Sequence, residues 1–60
     1  KTVVENGDFV VYEENGQVKS EEVFINSDTE KLIGHHIGEK VTLDRFGIIS
    51  TAKIQCIFNK

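Results

Sequence analysis

Ala52-Lys53-Ile54-Gln55-Cys56-Ile57-Phe58 sets an apolar residue at every second position, with Lys53 and Gln55 between. Side chains of a β-strand alternate between its two faces, so this spacing predicts a half-buried strand. Ala52, Ile54, Cys56 and Phe58 are expected to face the core. Ile57 interrupts the polar side and is expected to cover a second, smaller contact.

Working backwards, Val41 and Leu43 alternate with Lys40, Thr42 and Asp44 in the same way, and Asp44-Arg45-Phe46-Gly47 reads as the turn between the two strands. Upstream, Ser27-Asp28-Thr29-Glu30 has capping-box spacing, in which the Ser hydroxyl meets the third helical amide and the Glu reaches back. Acidic residues in a first turn also suit the positive end of a helix. Gly34 is suited to the left-handed conformation that stops it, so a short helix is expected over residues 29–33. So short a helix is held only by packing, through Leu32 and Ile33. Nearer the amino terminus, Asn6-Gly7 and Asn15-Gly16 are pairs favoured in tight hairpin turns. They divide the first part into strands over residues 2–5, 8–13 and 17–26. Val18 is out of step with Val23 and Ile25, which predicts a bulge or break near residues 20–22. Two choices of inward face stay open for the second strand, Phe9/Val11 or Val10/Tyr12. The expected core is Val11, Val23, Ile25, Leu32, Ile37, Val41, Leu43, Ile54, Cys56 and Phe58. The class is α+β: an antiparallel sheet of four to five strands with one short helix.

Sixty residues allow one domain, 1–60, with one core. A chain of this length buries only about 60% of the surface it exposes when unfolded. Its single cysteine, Cys56, excludes an intrachain disulfide and a cysteine-based zinc site. A net charge of −3 argues against direct nucleic-acid binding or a basic membrane surface. No apolar run approaches the roughly 18 residues of a membrane span. A lone thiol in a strand pattern fits a reducing, cytoplasmic setting. The chain starts at Lys1 and contains no Met, and we read it as a fragment of a longer protein.

The residues that could carry chemistry each have a plainer reading. His35 and His36 are adjacent, and neighbours in an extended segment point to opposite sides, so they are expected to be loop histidines and not a chelating pair. Cys56 occupies a core position in the alternation, not that of an activated nucleophile. Glu13-Glu14 and Glu21-Glu22 lie in polar, turn-like sequence, where solvated charge is expected; acid–base work needs one desolvated carboxyl. Gly34 and Gly38 lack the lysine and the helix of a phosphate loop. No catalytic residue, metal ligand or cofactor is expected. Arg45 and Phe46, an arginine beside an aromatic at a hairpin tip, have the composition of an interface anchor.

From Val23 through Leu43 the chain resembles the carboxy-terminal domain of Gre-type transcript cleavage factors. Leu32-Ile33-Gly34, Ile37-Gly38-Glu39 and Val41 stand in that family's order, and residues 52–58 fall where its last strand would. The resemblance covers about 35 residues. It implies an FKBP-like fold, and Gly7-Asp8 followed by Val10-Val11-Tyr12 resembles the opening of FKBP and trigger-factor domains. Asp28 replaces the family's Pro, the corner is one residue shorter before the Gly, and His35-His36 replaces a basic pair. The family's catalytic acidic residues lie on a coiled coil without a counterpart in these 60 residues. The resemblance therefore implies docking, not cleavage: a protein-binding module of transcription elongation, with bacterial RNA polymerase as partner and Asn26, Ser27 and Asp28 at the contact. Arg45 and Phe46 join that contact only if the hairpin tip lies on the same side.

Two other classes remain open. A peptidyl-prolyl isomerase would need an aromatic-lined pocket, a flap and a longer helix. A small homo-oligomeric structural protein would gain from a partner the burial its own core lacks.

Overall fold

A computed structural model describes residues 1–59. Four strands, β1 (Phe9–Glu14), β2 (Gln17–Glu22), β3 (Lys40–Arg45) and β4 (Ile48–Phe58), form one antiparallel sheet in the order β2-β1-β4-β3. The two hairpins, β1–β2 and β3–β4, thus lie side by side, joined through β1 and β4. Among the described residues, helix is limited to one 3-10 turn, Glu30–Leu32. The expected antiparallel sheet is present with four strands, and the expected helix is reduced to that turn.

Asn15-Gly16 turns β1 into β2 with φ of +54° and +82°, the double left-handed geometry that two-residue hairpins require. Phe46-Gly47 does the same between β3 and β4, at +54° and +84°. At Asn6-Gly7 only the glycine has a positive φ, and the Asp8 amide donates to the Glu5 carbonyl, as in a type II turn. The expected strand over residues 2–5 is accordingly just one bridge, Val3 to His36. That bridge holds the amino-terminal segment against residues 34–37, where the Gly34 amide donates to the Val4 carbonyl.

β4 carries the main departure from strict alternation. Val11 pairs with Cys56 but Tyr12 pairs with Ile54, so Gln55 is an extra residue opposite the Val11–Tyr12 step. This β-bulge shifts the phase of everything beyond it. Ile54 and Ile57, three apart, are both buried, whereas Cys56 and Phe58 are exposed. The expected inward placement of Cys56 and Phe58 is thereby corrected, and Ile57 is the core residue. With Cys56 on the outer face, a thiol reagent should label the dilute native protein at a rate close to that of the unfolded chain. Cys56→Ser should change stability by no more than about 0.5 kcal/mol.

On β1 the inward face is Val10 and Tyr12; Val11 is half-buried on the outer one. β2 pairs without interruption from Gln17 to Glu22, so no bulge lies at residues 20–22. The parity conflict is resolved because the strand ends before Val23, which turns in to the core while Val18 stays out. Ile25 and Ile37, also expected inside, are 61% and 46% exposed on the connecting turns.

The core consists of Val10, Tyr12, Val41, Leu43, Ala52, Ile54 and Ile57 from the sheet, covered by Val4, Val23 and Leu32. No regular helix supplies the cover. Residues 23–39 do so through linked turns, of which Leu32–His35 is typical: Ile33 at φ −61°, ψ 130° precedes Gly34 at φ +91°, a type II turn. Gly34 does supply a positive φ just after Ile33, but it closes this turn and not an α-helix.

Candidate functional site

The expected site residues fall in two places. Asn26, Ser27 and Asp28 form a corner after β2. Asn26 takes φ +74°, and the Ser27 amide donates to the Phe24 carbonyl across the turn. The expected capping box is not formed, and Glu30 reaches one residue further back than Ser27. The Ser27 hydroxyl accepts from the Phe24 amide at 3.3 Å, and the Glu30 carboxylate accepts from the Asn26 amide at 2.6 Å. Thr29, at the start of the 3-10 turn, makes no side-chain capping bond there. Asp28 and Asn26 are exposed and Ser27 is half-buried. The corner is tied to the Asn6-Gly7 turn that precedes β1, since the Ile25 amide donates to Asn6 Oδ1.

Arg45 and Phe46 sit at the other end of the sheet. The register runs from Phe9 opposite Phe58 to Glu14 opposite Ala52, and β4 continues beyond Glu14 to Ile48 opposite Arg45. The corner adjoins the Phe9 end and the hairpin tip lies past the Glu14 end, so the structure does not bring the two groups together. Nor do Arg45 and Phe46 share a role. The Arg45 side chain is 23% exposed and folds onto the core face. Phe46 is 97% exposed, and Ile48 and Ile49 beside it are 70% and 63% exposed.

Arg45 belongs to a polar cluster centred on Glu14, whose side chain is only 3% exposed. From β2, Lys19 Nζ lies 3.2 Å from its carboxylate; from β3, Arg45 Nε lies at 3.2 Å; from β4, the Ser50 hydroxyl donates to it. One carboxylate on β1 thus joins all four strands. The Ser50 hydroxyl and then the two cations hold the Glu14 carboxyl below the usual Glu range, against the opposing effect of burial. Next to it the fully buried Tyr12 hydroxyl accepts from Arg45 Nη2 at 2.8 Å and donates to Glu21. Burial and the Glu21 carboxylate hold this phenol well above its ordinary value, so it stays a neutral donor.

The expectation of solvated charge at Glu13-Glu14 and Glu21-Glu22 is corrected for Glu14 alone; Glu13 is exposed, and the Glu21 side chain is 41% exposed although it accepts from Tyr12. The available signal was parity. Once Tyr12 faces in, Glu14 must share its face, and a buried carboxylate requires cations across the sheet.

His35 and His36 lie in the connection before β3, as expected of loop histidines, with His36 in the bridge to Val3, and both Nδ1 atoms converge on the Glu39 carboxylate at 2.8 Å. His35 and then His36 hold that carboxyl below its ordinary value. Among the described residues no group of three or more His, Cys, Asp or Glu is arranged to hold a metal ion.

No protein-family model matches the chain, and neither a curated protein nor a solved structure matches it.

Proposed function

We propose that this domain is a non-catalytic docking module that inserts Phe46 into an apolar recess of a protein partner. The observation that carries the reading is Phe46 itself. A left-handed φ costs a non-glycine residue roughly 1–2 kcal/mol, least for Asn or Asp. The β1–β2 turn uses Asn15 at the same φ of +54° where the β3–β4 turn uses Phe46. An aromatic ring held in that conformation at 97% exposure adds nothing to the fold's own packing. Ile48 and Ile49 extend the apolar surface beside it. Arg45 acts from behind, as the residue that fixes the tip to Glu14 and Tyr12.

The Gre-type resemblance supplies the partner: bacterial RNA polymerase, in the cytoplasm, with an FKBP-like relationship for the fold. The buried Leu32, Val41 and Leu43 and the positive φ of Gly34 and Gly38 are compatible with that family's pattern. Under this reading the Asn26-Ser27-Asp28 corner is a second, separate contact at the far end of the sheet. The isomerase alternative is disfavoured by the aromatic residues. Tyr12 is buried in the polar cluster, and Phe9, Phe24, Phe46 and Phe58 are each 43–97% exposed, so they line no common cleft.

Titration of the labelled domain into bacterial RNA polymerase tests the proposal. Binding should be modest, with Phe46→Ala weakening it roughly 30-fold or more, as for a central anchor. Asp28→Lys should weaken it less, with folding checked by circular dichroism. Absence of binding by the folded wild type at about 100 μM, some 5 kcal/mol, would remove polymerase as the partner. Equal affinity of wild type and Phe46→Ala would remove the tip as the site.

A further inference from the structure

The sheet has a second broad face. The segments that cover the core lie on the side of Val10, Tyr12 and Ile54, leaving the opposite side open. Register and alternation order the side chains there into rows across the strands. The first row is Glu22, Phe9 and Phe58, and the second is Ser20, Val11 and Cys56. The third crosses all four strands as Val18, Glu13, Lys53 and Lys40. Phe9 and Phe58 are directly opposed and 43% and 53% exposed, Cys56 is exposed, and Val18 is 65% exposed. The bulge at Gln55 brings Cys56 and Phe58 to this face; without it their side chains would point inward. The two central strands therefore carry an apolar patch ending in a carboxylate on β1 and an ammonium on β4.

We propose that this face is the interface with a second copy of the chain. Face-to-face packing of sheets keeps strand directions within about 30° of each other. Take a two-fold axis parallel to the strands and midway between β1 and β4. It lays each copy's β1 over the other's β4 without changing the row. Phe9 then meets the other copy's Phe58, and Val11 meets its Cys56. Glu13 meets its Lys53, and by symmetry Lys53 meets its Glu13. Val18 lies over the stem of its Lys40. Both charged contacts are attractive and the apolar rows coincide, so the face is complementary to itself, as a two-fold interface must be. A partner of uniform charge would oppose one of Glu13 and Lys53. The size is compatible with weak pairing. The two largest dimensions of the molecule are 29 and 23 Å. They cap the buried area at roughly 1,300 Å² over both copies, near the lower limit for specific complexes. This surface is distinct from the Phe46 tip, and a docked partner there would leave it free.

A charge-swap experiment tests the interface. Sedimentation equilibrium of the wild type should show monomer at about 5 μM and dimer at about 500 μM, a range suited to so small an interface. Glu13→Lys alone and Lys53→Glu alone should each remain monomeric at the higher concentration, because like charges then meet twice. An equimolar mixture of the two variants should recover the dimer. Glu13 and Lys53 are also neighbours within one chain. The mixture leaves that intrachain repulsion in place in both variants, so recovery reports only contacts between copies. Cys56 labelling gives a second readout, which should slow at least several-fold at the higher concentration in the wild type and the mixture, but in neither variant alone. A wild type that stays monomeric at 500 μM overturns the proposal. So does a dimer that both single variants form as well as the wild type, since it must use another surface.

Discussion

Glu14→Ala should leave the domain largely unfolded at 25 °C. Removing the carboxylate takes the acceptor from the buried Ser50 and the nearest carboxylate from Arg45, while Lys19, 39% exposed, turns to solvent. Loss of a buried carboxylate with these three partners costs about 3 kcal/mol. A core in a chain of this length rarely supplies more than about that amount. Urea unfolding followed by circular dichroism measures it, with Glu13→Ala as the control, since Glu13 is exposed one position away. Equal midpoints for the two variants would show that the cluster contributes nothing net.

Acid should act on the same group. The Glu14 carboxyl is held below its ordinary value in the fold, chiefly by Ser50 and the two cations. Its contribution is therefore present in full above the unfolded value near 4.3 and lost as pH falls through the lower, folded value. Asp8, depressed by its bond to Lys1, has the same sign. Stability should thus fall steeply below about pH 4, with Glu14 and Asp8 protonating together.

Phe46→Asn should make the protein more stable and a worse binder at once. Asn is the residue that the β1–β2 turn already uses at the same φ. Relief of the left-handed penalty should raise stability by about 1 kcal/mol, or roughly 4–8 °C in Tm for a domain of this size. In the same variant the affinity for the docking partner should drop by roughly 30-fold or more. The opposite signs separate a functional aromatic from a structural one. A ring that packed on the fold would lower Tm when removed. Should Phe46→Asn melt below wild type, the tip is not a place where stability has been given up for contact.

How far these features could be read in the chain depended on whether their cause was local. Asn15-Gly16 carries its own φ preference, so the first hairpin turn was legible. Val41, Leu43 and Ile54 were legible because an apolar side chain flanked by polar ones on an edge or central strand leaves one choice of face. The first strand offered two apolar faces, Phe9/Val11 and Val10/Tyr12, and only the cover provided by Val4, Val23 and Leu32 distinguishes them. Leu32 is legible as core because only packing can hold so short an element, which here is a single 3-10 turn. Its capping residues bond across the preceding corner, so no longer helix is started there.

The site was less legible than the fold. Phe46 was marked by composition as an exposed tip residue, but Arg45 beside it was marked by the same logic and turns inward. That difference follows from parity along β3, which puts Arg45 on the face of Leu43 and Val41. Its carboxylate partner, 31 positions away in the chain, has no local signature. The separation of the corner from the tip likewise comes from strand order, a non-local property.

The extra residue in β4 has a consequence for how such chains diverge. From Gln55 onward, which residues are inside depends on a count, not on their chemistry. Losing Gln55 would remove the bulge and leave Cys56 and Phe58 outside and Ile57 inside, because their partners on β1 are Val11, Phe9 and Val10 with or without it. A single-codon deletion there is therefore absorbed without moving any other side chain of the strand to the opposite face. Two descendants differing by that codon would carry the same hydrophobic pattern at the end of β4, shifted by one position against the residues before it. Aligned column by column without a gap, they would look like sequences under contradictory constraints, although each would be obeying the same sheet.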